Sequence, residues 1–81
     1  MMTMTEVRRG RTGTVSGFGK GRGFRAKMIA LGIRPGAKIT VVSGSGDGPR
    51  VVQVGRQRIM IGAEMLNAIY LNEGELNNER N

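Results

Sequence analysis

Between Gly32 and Gly36 the hydrophobic period of this chain changes. Before that point, in "FRAKMIAL", Phe24, Met28 and Leu31 fall at i, i+4 and i+7, which is one face of a helix. After it, in "AKITVVS", Ala37, Ile39 and Val41 line one side and Lys38, Thr40 and Val42 the other, which is the period of a strand. The chain must therefore turn from helix to sheet inside "GIRPG". Gly32 sits where a left-handed residue ends a helix, and Ile33 can fold back onto the last turn. Pro35 and Gly36 suit the centre of a type II turn, because Pro fixes φ and Gly accepts a positive one.

Strand signals continue downstream. "SGSGDGP", Ser43 to Pro49, reads as a loop, and "RVVQV" alternates with Val52 and Val54 on one face. Gly55-Arg56 is a Gly-X pair suited to a type II′ hairpin, after which "QRIMI" returns with Ile59 and Ile61 inward. "GAEMLNA" is long enough for a single helical turn, and "IYL" for a closing strand. Upstream, "RTGTVSGF" reads as a glycine-weakened strand holding Gly13, Val15 and Phe18, followed by a flexible loop "GKGRG". The expected organisation is a flexible N-terminus over 1–9, one domain over 10–72 and a polar tail over 73–81. The expected fold is mostly β: a small barrel of about five strands with one short α-helix between the first two strands. Closure would remove the edges that so small a sheet cannot cover, and the helix would lie over one end.

The stretch "GFGKGRGFRA" contains Gly21, Gly23 and Ala26 in the order G-x-G-x-x-A, a form of the dinucleotide-binding fingerprint. Length argues against that use. A chain of 81 residues has no room for the doubly wound sheet that the fingerprint serves. The acid expected about 20 positions on, to meet a ribose, is replaced by Ser43. No Gly-Lys-Ser/Thr occurs either. Gly17 to Gly23 are expected to let the chain turn from strand to helix and to bind no nucleotide.

Composition excludes further classes. The chain has no Cys and no His, which removes thiolate metal sites, the commonest metal-binding imidazole and the usual general base. No pair of carboxylates is placed for acid–base work, since Glu73, Glu75 and Glu79 crowd the C-terminus near Glu64. The six Met residues read as terminal or gap-filling. Neither an enzyme nor a resident metal or cofactor is expected. No apolar run approaches the ~20 residues of a membrane span, and "MMTMTEVRRG" lacks the apolar core of a signal peptide, so the expected location is the cytoplasm. The net charge is +7, and residues 1–40 carry nine Lys/Arg against one acid while residues 41–81 carry four Arg against five acids. Such asymmetry points to an acidic partner, or more plainly to a solvated surface.

"MIALGIRPGAKITVV" and "GPRVVQVGRQRIMIGAEMLNAIYL" together resemble the FeoA family, small SH3-like proteins of bacterial ferrous-iron uptake. The features that carry the resemblance are "ALGIRPG", the strand "AKITVV", Gly48-Pro49 before a valine-rich strand, and "VGRQRIMIGAEM" ending in Ala68-Ile69. Gly13 before Val15 suits the first strand of that family. The resemblance implies an SH3-like barrel and an accessory role without catalysis. It also implies a partner, the large membrane permease FeoB with its cytoplasmic GTPase domain, and a place at the inner face of the membrane. The same fold occurs as the C-terminal domain of metal-responsive repressors, which is an alternative.

The basic residues Lys20, Arg22, Arg25, Lys27, Arg34 and Lys38 fall on the loop, the helix and the turn after it. Combined with the resemblance, they form the expected partner-binding face for an acidic surface of the permease. Gly13, Gly32, Pro35, Gly36 and Gly55 are expected to serve turns and caps. A second alternative is an RNA-binding module, because "VRRGRTGTV" resembles the KOW element of ribosome-associated SH3-like barrels. Against it, the chain has one Tyr and two Phe, too few for base-stacking platforms.

Overall fold

The computed structural model describes residues 2–72, so the polar tail expected over 73–81, with Glu73, Glu75 and Glu79, lies outside the described residues. The elements are β1 (Met2–Thr3), a turn of 3-10 helix (Met4–Glu6), β2 (Thr12–Phe18), α1 (Gly21–Ala30), β3 (Lys38–Ser43), β4 (Arg50–Val54), β5 (Gln57–Ile61), the single-turn α2 (Ala63–Leu66) and β6 (Ile69–Leu71). The strands form one antiparallel sheet in the order β1-β6-β2-β3-β4-β5. The fold is mostly β with one short helix after β2.

The sequence change at "GIRPG" becomes a defined corner. Gly32 takes φ +89°, its N–H donates to Ile29 O at 2.9 Å, and Ile33 N–H donates to Met28 O at 2.9 Å. Those reversed bonds satisfy helix-end carbonyls and tuck Ile33 fully into the core. Gly36 takes φ +93° and Ala37 N–H donates to Arg34 O at 2.9 Å, closing a type II turn over Pro35. Gly36 N–H also bonds Val15 O at 2.8 Å, which pins the corner to β2. Gly55 takes φ +60° while Arg56 keeps a negative φ, the conformation of a type II′ hairpin.

Three expectations need correction. The sheet has six strands rather than about five, and it curls without closing, because β1 and β5 are not neighbours. Curvature comes from β2, which pairs β3 through Thr12–Thr14 and β6 through Val15–Phe18, with an irregularity between Val15 and Gly17. The N-terminus, expected to be loose over 1–9, is packed in its described residues 2–9: β1 pairs β6, Met4 is fully buried and Val7 is 3% exposed. Burial of two apolar side chains holds it, although no period announces it. Finally, α1 starts at Gly21, inside the stretch expected to be a flexible loop, because Lys20 (φ +61°) and Gly21 (φ +81°) make the whole corner. Met28 anchors the helix in the core, with Phe24 and Leu31 half-buried beside it.

The core gathers Met4, Val15, Met28, Ile33, Ile39, Val41, Val52, Ile61, Leu66 and Ile69. Arg50 sits among them, 6% exposed. Its Nη1 donates to Met4 O at 3.1 Å and Val7 O at 2.8 Å, and its Nη2 donates to Gly46 O at 3.1 Å. Burying a guanidinium is costly unless its donors are used. Three carbonyls take up both Nη atoms, while Nε is buried without a hydrogen-bond partner among the described residues. Arg50 therefore ties the N-terminal segment to the β3–β4 loop.

Candidate functional site

The cations expected to form one face are all exposed, and they separate into clusters. Lys20, Arg22, Arg25 and Lys27 belong to α1 and its entry. The first turn of α1 carries no acid and no side-chain cap, so the helix itself offers these cations no counter-charge. Arg25 places its guanidinium 5.9 Å from the centroid of Phe18. Phe18 in turn meets Phe24 edge-on, with centroids 6.1 Å apart and planes at 76°. Both rings also pack on the core. The two phenylalanines are thus occupied by each other, by Arg25 and by the core, which leaves little ring face for a stacked base.

Arg34 and Lys38 lie at the other end of the helix, across the type II turn. They line an open groove of about 650 Å³ together with Gly32, Ala37, Val54, Gly55, Arg56 and Gln57. The groove runs between the "RPG" corner and the tip of the β4–β5 hairpin. It holds three cations and no acid. Arg56 is outside the expected set; the hairpin's position beside the corner brings it into the groove, and that proximity has no local signal in the sequence. Among the described residues none of Lys20, Arg22, Lys27, Arg34, Lys38 or Arg56 forms an ion pair. Lys20, by contrast, borders a separate hollow that contains Glu64, Asn67 and Tyr70, where the charge is mixed.

Four of the five expected turn and cap residues frame this surface. Gly32, Pro35 and Gly36 shape the corner that carries Arg34, and Gly55 the hairpin tip that carries Arg56. Gly13, expected to serve a turn or cap, lies instead within β2 opposite Ile39, buried where an added Cβ would stand 2.8 Å from a Leu71 methyl. Gly21 and Gly23 occupy the first turn of α1 with open space around them, so neither is required for a close approach. Among the described residues no three of His, Cys, Asp and Glu lie close enough together to hold a metal ion. No helix of the described residues is long and apolar enough to cross a membrane.

Solved structures with the same fold include a crystal structure of an iron uptake regulatory protein, FeoA, at 28% identity and TM-score 0.80, covering 88% of this chain and 95% of that one. The FeoA of Stenotrophomonas maltophilia, complexed with zinc, matches at 19% identity and TM-score 0.80 over 91% of this chain and 93% of that one. It is described as a prokaryotic SH3-domain protein and proposed as a ferrous iron transport activating factor. A manganese-dependent transcriptional repressor shares the fold at 19% identity and TM-score 0.75, with this chain spanning 40% of its length. No match was found among curated protein sequences. The family model of the FeoA domain matches residues 2–73, a span that includes the N-terminal segment packed through Met4 and Val7. With the open, six-stranded SH3-like sheet and the "ALGIRPG" corner in place, the chain belongs to the FeoA family.

Proposed function

We propose that this chain is a non-catalytic accessory protein of bacterial ferrous iron uptake. It docks through its basic surface on the cytoplasmic, GTPase-bearing part of a FeoB-type permease. The observation that carries the docking surface is the groove where Arg34, Lys38 and Arg56 converge without an acid. The cations of α1 extend the same sign of charge towards the helix entry. Family membership supplies the connection to ferrous iron transport. The chain's chemistry agrees with an accessory role: it has no His and no Cys to act as base, nucleophile or soft ligand.

Cations at the rim of an interface act mostly on association rate and partner choice. Charge reversal should therefore weaken docking far more than it weakens folding. The test is a pull-down of the soluble cytoplasmic domain of the permease with wild type and with the triple variant Arg22→Glu, Arg25→Glu, Lys27→Glu. A second triple variant reverses Arg34, Lys38 and Arg56. Loss of binding by a folded variant supports the reading and locates the dock. Equal binding by both variants rejects the basic surface. A preference of the wild type for RNA at physiological salt would replace the reading with the nucleic-acid one.

A further inference from the structure

The sheet is open, and its two edges differ. β1 is two residues long, too short to template another strand. β5 is five residues long and pairs β4 in unbroken register, without the irregularities that bend β2 and β3. The hairpin tip sets which groups of β5 are used. With a two-residue loop, Val54 and Gln57 form the bonded closing pair, and bonded pairs recur at Val52/Ile59 and Arg50/Ile61. The backbone N–H and C=O of Arg58 and Met60 therefore point away from β4. Among the described residues no strand covers them.

The side chains on this edge sort cleanly. Ile59 and Ile61 face the core, while Arg58 and Met60 stand on the outer face. Met60 is 70% exposed, by far the most exposed large hydrophobic residue described; the next, Ile29, is 37% exposed. Its cross-strand neighbour on that face is the half-buried Val51. Arg58 Nε donates to Gln53 Oε1 at 3.1 Å, which holds the arginine on the same face. Arg56 at the hairpin tip continues the positive charge into the groove with Arg34 and Lys38. Exposed edges are ordinarily blunted by shortness, bulges, proline or charge. β5 is not short, bulged or interrupted by proline, and its one charge, Arg58, repels another cationic edge but not an acidic strand.

From this geometry we infer that the β5 edge accepts an extended acidic segment of a partner protein as an added strand. Arg58 and Met60 exchange backbone hydrogen bonds with it, Met60 and Val51 cover an apolar side chain, and Arg58 and Arg56 meet its carboxylates. Strand addition takes affinity from main-chain bonds and specificity from alternate side chains. The sign of charge selects the occupant. A second copy would bring another net +7, with Arg56 and Arg58 on its own edge, whereas an acidic segment neutralises these groups. The inference goes beyond the proposed function, because it does not require that the segment belong to the permease.

The test is a hydrogen-exchange and chemical-shift titration of the whole labelled chain. The probe is a synthetic peptide of alternating glutamate and valine. On its addition the Arg58 and Met60 amides should slow in exchange by at least about tenfold. Raised salt should weaken the effect, and a lysine–valine peptide should produce none. Met60→Pro removes one outward donor while sparing the β4 ladder, and should abolish binding. Met60→Glu, which keeps that donor and repels the probe, should weaken binding even if the proline variant fails to fold. The Arg22/Arg25/Lys27 charge reversal should leave peptide binding intact, so failure of the permease dock and failure of this edge are told apart. Absence of binding, binding without protection at Arg58 and Met60, or self-association through the same amides in the peptide-free protein would overturn the inference.

Discussion

Two residues carry structural roles that differ in how readily they can be read from the chain. Gly32 is legible, because a glycine directly after a helical face and before Ile33 announces a left-handed helix end, and its φ is +89°. Replacing Gly32 by Val puts a β-branched residue at that φ. The expected cost is about 1–3 kcal/mol, read as a lower urea midpoint with an unchanged slope. Arg50 is not legible. An arginine at the start of a valine-rich strand reads as one more surface charge, yet it is buried with its Nη donors on Met4, Val7 and Gly46 carbonyls. The bonds span residues far apart in sequence, so no local pattern encodes them. Arg50→Met keeps much of the volume and removes the guanidinium bonds, leaving Met4 O only the Val7 N–H among the described residues. It should destabilise by about 2–4 kcal/mol, measured by the same denaturation.

At the scale of elements, local rules succeed where pattern and turn chemistry agree. β3, β4 and β5 alternate cleanly between Pro35-Gly36, the glycine-rich loop and Gly55, and their inward residues Ile39, Val41, Val52, Val54 and Ile61 are buried. The N-terminal segment has no such agreement. Met2, Met4 and Val7 are interrupted by polar residues, and a short strand followed by a 3-10 turn has neither a helical nor a strand period. Its order comes from tertiary contacts: β6 on one side, and the Arg50 guanidinium on Met4 and Val7 carbonyls. Deleting residues 1–7 should therefore cost on the order of 3 kcal/mol or more, since it exposes the sites of Met4 and Val7. A shortened chain with an unchanged denaturation midpoint would show that this segment adds nothing to the fold. The glycines from Gly17 to Gly23 are legible in kind but not in extent. They do turn the chain from strand to helix, but Gly21 and Gly23 lie inside the helix rather than before it.

At the scale of the whole molecule, open architecture replaces closure. Five strands can be counted from the sequence; that a sixth pairs at the N-terminus and leaves β5 uncovered among the described residues depends on long-range pairing. The same holds for the basic surface. Arg34 and Lys38 are neighbours in sequence, but their partner in the groove, Arg56, comes from the hairpin tip. The uneven charge along the chain was visible from composition, whereas its concentration in a groove required the fold. A molecule of net charge +7 with this surface should associate faster with an acidic partner at low ionic strength. Stopped-flow association with the permease domain should slow steeply as salt is raised, with a smaller change in dissociation.

The most direct measurement is calorimetric titration of the cytoplasmic domain of a FeoB-type permease with this chain, at low and at physiological salt. The wild type and the Arg34→Glu, Lys38→Glu, Arg56→Glu variant are compared after circular dichroism has shown both to be folded. The account predicts stoichiometric binding by the wild type, weaker at higher salt, and a loss of at least about tenfold in affinity for the variant. Equal affinity of the two proteins, independent of salt, would contradict it.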